Sequence, residues 1–159
     1  MPLPDAILDN PMLVATLLVH AAATLFMMGL IWFVQIVHYP LMRAVGPDGF
    51  VRYEVMHTRR TTWVVLPPML LELISAIALV TIYFPSTNPG SGLAIAGAAM
   101  LAVIWASTFL VQVPCHERLS DGFNEAAWSW LVRSNWIRTV LWSARGIIAL
   151  LIPIVMLQQ

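Results

Sequence analysis

Charged side chains are scarce in this sequence, and lysine is absent. Of the 159 residues, 10% are charged and 60% are hydrophobic, and the eight basic residues, all arginine, balance eight acidic ones. This balance provides no basic surface for nucleic acid and no acidic tail for a protein partner. The single cysteine cannot form an internal disulfide, so the sequence does not indicate a redox compartment.

Domain linkers and common enzyme motifs are also missing. No Pro/Gly/Ser-rich or low-complexity segment divides the chain, which predicts one transmembrane domain over residues 1–159. The patterns GxSxG, HExxH and CxxC and a glycine-rich phosphate loop are all absent. Hydrolase, nucleotide and thiol-redox chemistry therefore have no visible motif.

Long apolar runs dominate what is present. A mean hydropathy of +0.82 lies far above that of a soluble domain. About 20 apolar residues are needed to cross a hydrocarbon core of about 30 Å, and four runs are long enough. We therefore predict an all-α integral membrane four-helix bundle, with spans near residues 12–38, 61–84, 92–113 and 138–157.

The arginines fall on one side of the predicted spans. Seven lie in the first and third connections, one lies within the fourth span, and the second connection, PSTNPGS, has none. The positive-inside rule places the arginine-bearing connections in the cytoplasm and both termini outside. The seven are Arg43, Arg52, Arg59, Arg60, Arg118, Arg133 and Arg138.

Both arginine-bearing connections have the pattern of a short amphipathic helix. Phe50, Glu54, His57 and Thr61 recur at helical spacing, and a similar polar face follows DGF at 121–123. The string FVQIVHYPLM also resembles FLVQVPCHERL, and DGF occurs in both halves. These matches suggest an internal repeat of a span, an amphipathic helix and a span, so that the two polar connections meet at one end of the bundle.

Glu54 and His57 form an ExxH pair in the first connection. Residues three apart on a helix have Cβ atoms about 5–6 Å apart, so both can hold one metal ion. His38 and His116 end the first and third spans and lie at the same predicted depth. Three histidines and one carboxylate suit iron, copper or zinc, whereas calcium and magnesium prefer oxygen ligands.

Other residues near this depth extend the hypothesis. Gln35 and Asn135 are candidates for the groups that orient the ligands. Cys115 is either a fifth ligand or a small buried residue. The alternative is that the ExxH pair is a solvated polar face, with Glu54 paired to a nearby arginine.

His20 lies about 27 Å along the helix from His38, so it is a separate histidine, either buried in the bundle or a haem ligand.

Glu72 and Arg145 are charged residues deep within the predicted spans. Glu72 is predicted to lie near the bilayer midplane, where a carboxylate costs about 2.5–3.5 kcal/mol to insert. Arg145 is its predicted partner. The pair either fixes the bundle as an interhelical ion pair or has a catalytic role as a proton relay or substrate contact.

Several strings resemble a family of small bacterial four-span membrane proteins that are mostly uncharacterised. They are QIVHYPLM, F..YE..H, PPMLLEL, VPCHERL and NWIRTVLW, and together they cover most of the chain. The size and four-span plan are distantly similar to the anthrone-oxygenase-like membrane proteins, which are associated with oxidation of lipophilic aromatic compounds. The resemblance implies a multi-pass protein of the bacterial inner membrane.

The sequence thus predicts a metal-dependent membrane oxidoreductase or oxygenase. Membrane lipids and a lipophilic small molecule are the expected partners, and nucleic acid is not. A haem-binding membrane protein is an alternative that ranks behind a bare metal, because QIVHYP and VPCHERL do not fit the haem-binding membrane protoporphyrinogen oxidase. A second alternative is a non-catalytic subunit that docks a partner or forms an oligomer through its arginine and tryptophan residues.

Overall fold

The computed structural model describes residues 10–83 and 90–157. Within these ranges the chain is helical, and short π-helical turns extend several of the α-helices. The α-helices are α1 (Pro11–Phe33), α2 (Tyr39–Met42), α3 (Pro47–Ala78), α4 (Ser91–Ser107), α5 (Val113–Ser120) and α6 (Glu125–Leu157).

The predicted all-α four-helix bundle is confirmed. The helices join into four continuous rods that are long and apolar enough to cross a membrane, so the chain has the character of a multi-pass membrane protein. Helix α1 packs against α3 and α6, and α6 also packs against α4 and α5. The rods cover Pro11–Val45, Pro47–Tyr83, Ser91–Ser120 and Glu125–Met156.

The two amphipathic segments are helical, but they are not separate helices. Each forms the first turns of a rod that then crosses the bundle, since α3 begins at Pro47 and α6 at Glu125. Gly46, at φ 80°, turns the chain before α3. Helix α6 begins two residues after the DGF string, and the side chain of Asn124 caps it by accepting a hydrogen bond from the Ala127 amide at 2.9 Å.

Two π-helical turns occur at matching places in the two halves. Val34–His38 follows α1 and Thr108–Gln112 follows α4. A short helix with proline in its first turn comes next in both cases, at Pro40 and Pro114. Proline lacks an N–H donor and clashes with the carbonyl four residues earlier, and the wider π turn accommodates that local break in the ladder. The structure therefore has the same local geometry in the two segments whose sequences resemble each other.

The described rods bring three histidines to one end of the bundle. We call this end, which carries His38, His57 and His116, the histidine end. The connection at the opposite end, PSTNPGS, lies mostly outside the described residues, as do the first nine residues and the last two. A buried hydrophobic cluster that includes Tyr39, Phe50 and Leu131 packs the histidine end.

Candidate functional site

The four predicted metal ligands lie together in the structure. They come from three of the four rods, because His38 ends the π turn after α1, Glu54 and His57 lie early in α3, and His116 lies in α5. Hydrogen bonds and ring contacts connect all four side chains. We call these four residues the histidine cluster.

Two short hydrogen bonds organise the cluster. The Nε2 atom of His38 lies 2.8 Å from Nδ1 of His57, so one ring donates to the other. The Nδ1 atom of His116 lies 2.5 Å from Oε1 of Glu54 and donates to it. The rings of His57 and His116 are 5.3 Å apart between centroids, which links the two pairs. A carboxylate that holds one ring nitrogen of a histidine fixes the tautomer and leaves the other nitrogen as an acceptor.

Two tyrosines that sequence reasoning missed complete the cluster. The hydroxyl of Tyr39 lies 3.2 Å from Nε2 of His116, and the hydroxyl of Tyr53 lies 3.3 Å from Nε2 of His38. Both tyrosines adjoin the predicted ligands in QIVHYP and YEVMH, which is the signal that could have identified them. Because Nδ1 of His116 donates to Glu54, its Nε2 accepts from the Tyr39 hydroxyl, whereas the Tyr53 hydroxyl can donate to Nε2 of His38 or accept from it.

Glu54 is fully buried, which contradicts the alternative that the ExxH pair forms a solvated face. Its side chain is 0% exposed, and its described ion pair is with His116, not with an arginine. Its second oxygen, Oε2, is buried without a hydrogen-bond partner in the described part of the chain. An unpaired buried carboxylate oxygen is costly, so this atom is available to a cation or a protonated ligand.

The chemistry of the cluster fits a transition metal, although its spacing is tighter than a metal site. Among residues 10–83 and 90–157, no three His, Cys, Asp or Glu side chains are arranged to hold a metal ion as they stand. In a tetrahedral site with metal–nitrogen bonds of about 2.0–2.1 Å, ligand atoms are roughly 3.3 Å apart. The 2.8 Å between His38 and His57 would have to increase by about 0.5 Å when their shared proton is replaced by a metal. Imidazole nitrogens and one carboxylate are a common donor set for iron, copper and zinc.

A cavity of about 360 Å³ adjoins the cluster. His57 and His116 contribute to its wall, and threonines, Gln112 and Arg138 add further polar groups. This volume falls within the range of small-molecule sites, which are mostly apolar with a few convergent polar groups. The apolar part of the wall is formed by Met27, Leu30, Ile31, Val34, Val65 and Val113.

Gln35 and Asn135 lie beside the cavity wall and bond to each other. The Asn135 amide donates to the Gln35 carbonyl oxygen at 2.9 Å, and Arg138 donates to Asn135 at 3.3 Å. Gln35 also donates to the Val132 carbonyl at 3.2 Å. In the part of the chain that the structure describes, no hydrogen bond joins Gln35 or Asn135 to a histidine, so they position Arg138 and not the predicted ligands.

A second buried glutamine went unrecognised in the sequence. Gln112 accepts a hydrogen bond from Ser107 at 3.0 Å and donates to Ser134 at 3.2 Å. Gln112 and Gln35 both lie in π turns, and they match in the two similar strings FLVQVP and FVQIVH. The repeat is therefore the signal that could have identified Gln112.

The predicted pairing of Glu72 with Arg145 is confirmed. Arg145 Nη2 lies 2.9 Å from Glu72 Oε1, with side-chain exposures of 1% and 0%. Thr24 and Trp142 also donate to the carboxylate, at 2.8 and 3.1 Å, and Arg145 donates to the Gly97 carbonyl. This saturated network is the geometry of an interhelical ion pair that fixes the bundle.

The catalytic role of Glu72 and Arg145 stays a prediction. Glu72 lies 18 residues beyond Glu54 on the same rod, which is about 27 Å along the helix axis. Neither Glu72 nor Arg145 lines the cavity next to the histidine cluster.

The two remaining residues singled out in the sequence are buried. His20 lies 2.8 Å from the Ser75 hydroxyl and lines a cavity of about 10 Å³. Cys115 is 4% exposed within the hydrophobic cluster that contains Tyr39, as expected for a small buried residue.

Comparison with protein families, with curated proteins and with solved structures finds no match to this chain. The resemblances drawn from the sequence strings therefore stay predictions.

Proposed function

We propose that this chain is a metal-binding integral membrane protein that oxidises or oxygenates a lipophilic substrate. The observation that carries the proposal is the convergence of three of the four histidines, from three rods, next to a cavity of about 360 Å³. Histidines are the most common metal ligands in proteins, and an ionisable cluster inside a membrane bundle is most often a functional site.

His38, His57, His116 and Glu54 would hold the metal. Glu54 accepts a hydrogen bond from Nδ1 of His116, which leaves the lone pair of Nε2 on that ring to bind the metal. The unpartnered Oε2 of Glu54 provides a negative charge beside the nitrogens. Iron or copper at this position would supply redox chemistry, and zinc would supply a Lewis acid.

The tyrosines and the cavity would organise the substrate. Tyr39 and Tyr53 each lie within hydrogen-bond distance of a cluster nitrogen and can exchange protons with it. The apolar wall that includes Met27, Ile31 and Val65 would contact the lipophilic part of the substrate and exclude water from it.

The proposal includes a location and an orientation. The seven arginines of the first and third connections support placement of the histidine end in the cytoplasm and of both termini outside. The bacterial inner membrane is the compartment that fits this arrangement. The substrate would then reach the cavity from the inner leaflet.

Elemental analysis of the protein, purified in mild detergent without chelator, tests the proposal. The wild type should carry iron, copper or zinc near one ion per chain. His57→Ala should lose the metal. Glu54→Gln should lower the metal affinity about 10–100-fold, because the amide can still accept from His116 but no longer provides a negative charge to the metal.

His20→Ala is the matched control, since it removes a histidine that lies outside the cluster. It should keep the full metal content. If the wild type holds no metal after reconstitution with iron, copper and zinc, or if His57→Ala and His20→Ala lose metal equally, the proposed function is wrong.

A further inference from the structure

Arg138 is a buried cation without a carboxylate partner in the described part of the chain. Its side chain is 6% exposed, and its Nε atom has no hydrogen-bond partner there. One terminal nitrogen donates to Asn135 at 3.3 Å, the guanidinium also interacts with the neutral Tyr39 hydroxyl, and it lies 5.1 Å from the centre of the Trp142 ring. These contacts position the group but leave its charge unbalanced.

The other buried arginine shows what a compensated cation requires in this bundle. Arg145 has two nitrogens on Glu72 and a third on a backbone carbonyl. Arginine stays protonated in proteins, and burial of an unpaired charge costs several kcal/mol. Arg138 therefore has the charge of Arg145 without its counterion.

The unbalanced group lies on the wall of the cavity. Arg138 lines it together with His57 and His116. Two acidic residues lie near this cavity, since Glu54 is paired with His116 and Glu117 lines the cavity with an exposed side chain. Neither forms an ion pair with Arg138 in the described part of the chain. An anion inside the cavity would reach Arg138 and the histidine cluster at once.

The apolar wall extends from this polar end toward the middle of the bundle. Val65 lies eight residues beyond His57 on the same rod, about 12 Å nearer to Glu72. Met27 and Ile31 face the same space from the first rod. The cavity is therefore polar at its histidine end and apolar toward the membrane centre.

We propose that the cavity binds an amphiphile with one apolar tail and an anionic oxygen head group, and that Arg138 binds the head group. The planar guanidinium can donate two parallel hydrogen bonds to a carboxylate or a phosphate. The tail lies against Met27, Ile31 and Val65. This inference names the substrate class of the proposed oxidation site, so its catalytic meaning rests on that proposal, whereas the binding does not require the metal.

Binding of a fluorescent fatty acid tests the inference. The probes are cis-parinaric acid and its methyl ester, which share the tail and differ in the charge of the head group. Binding is measured on chelator-treated protein, so that a metal cannot bind the carboxylate. We expect the acid to bind at least tenfold more tightly than the ester. Equal binding of the two probes would overturn the inference.

Variants of the arginine assign the preference to one residue. Arg138→Gln should reduce binding of the acid to the level of the ester and leave the ester unchanged, which also shows that the variant is folded. Arg138→Lys should lose part of the preference, because an ammonium lacks the planar fork. Arg133→Gln is the matched control, since Arg133 is exposed on the same helix. If Arg138→Gln binds the acid as tightly as the wild type does, the inference is overturned. If this variant does not fold, the inference is judged by whether the wild type binds the acid more tightly than the ester.

Competitors distinguish the source of the anion. Displacement of the probe by a long-chain carboxylate assigns the head group to a free fatty acid, and displacement by lysophosphatidylglycerol assigns it to a lipid phosphate. Both results support the inference. Displacement by inorganic phosphate but by neither amphiphile overturns it, since the tail would then have no role.

The two proposals fail independently in these measurements. If the protein binds the acid tenfold more tightly than the ester but never holds metal, the binding inference is supported and the proposed oxidoreductase function is wrong. If the protein holds stoichiometric metal but binds the acid and the ester equally, the metal centre is supported and the anionic amphiphile is not its substrate class.

Discussion

At the scale of single residues, the sequence best predicts how deep each side chain lies along the bundle. His38, His57 and His116 were grouped because hydropathy places them at one level of the bundle, and the structure brings them together. Which atoms pair could not be predicted, because the side-chain partners depend on how the rods are rotated. For this reason the contacts of Tyr39 and the burial of Arg138 were missed.

Glu72→Ala should destabilise the bundle by about 3–5 kcal/mol, because it leaves Arg145 buried without its counterion. The measurement is the free energy of unfolding in mixed detergent micelles, followed by circular dichroism. Glu117→Ala removes an exposed carboxylate and is the control, which should unfold like the wild type. A stability of Glu72→Ala within about 1 kcal/mol of the wild type would show that the ion pair does not fix the bundle.

At the scale of the elements, the sequence indicated which segments are helical but not where each helix begins. The second span is predicted to start at residue 61, because the charged residues Arg59 and Arg60 come directly before the apolar run. The helix starts instead at Pro47, directly after the Gly46 turn. Hydropathy reports contact with lipid, whereas a helix continues through polar residues until a turn or cap ends it. The π turns had no signal beyond the proline that follows each of them.

Deletion of Val111 tests whether a π turn sets the position of His116. One residue fewer in Thr108–Gln112 would convert the wider π turn to α-helical geometry and rotate α5 by a few tens of degrees relative to α4, which would displace the His116 ring from its partners. We expect the protein to insert and remain monodisperse in detergent, but to lose metal to the same extent as His116→Ala. Metal content equal to that of the wild type would show that the π turn is not needed to orient His116.

At the scale of the whole molecule, the sequence predicted the bundle correctly because four long apolar runs allow few other arrangements in a membrane. The orientation of the bundle rests on the arginine distribution alone. The cavity could not be predicted, since a void forms where side chains from several rods fail to fill the space between them, and this depends on packing.

Labelling with a membrane-impermeant maleimide tests the orientation. In a Cys115→Ser background, Gln159→Cys should react on intact spheroplasts, because the C-terminus is predicted to be outside. Asp121→Cys, at an exposed position of the histidine end, should react only after the membrane is permeabilised. The reverse pattern would place the histidine end outside the cell.

The depth of the Glu72–Arg145 pair has an electrical consequence. A membrane potential acts on every charge inside the bilayer, with about 2.3 kcal/mol per elementary charge moved across 100 mV. A lone charge at the midplane would feel roughly half of this. Glu72 and Arg145 carry opposite charges, and their nearest atoms are 2.9 Å apart, so the opposing forces that the membrane potential exerts on the two groups nearly cancel. The bundle therefore holds two ionic groups at its centre that do not respond to changes in the voltage of the cell.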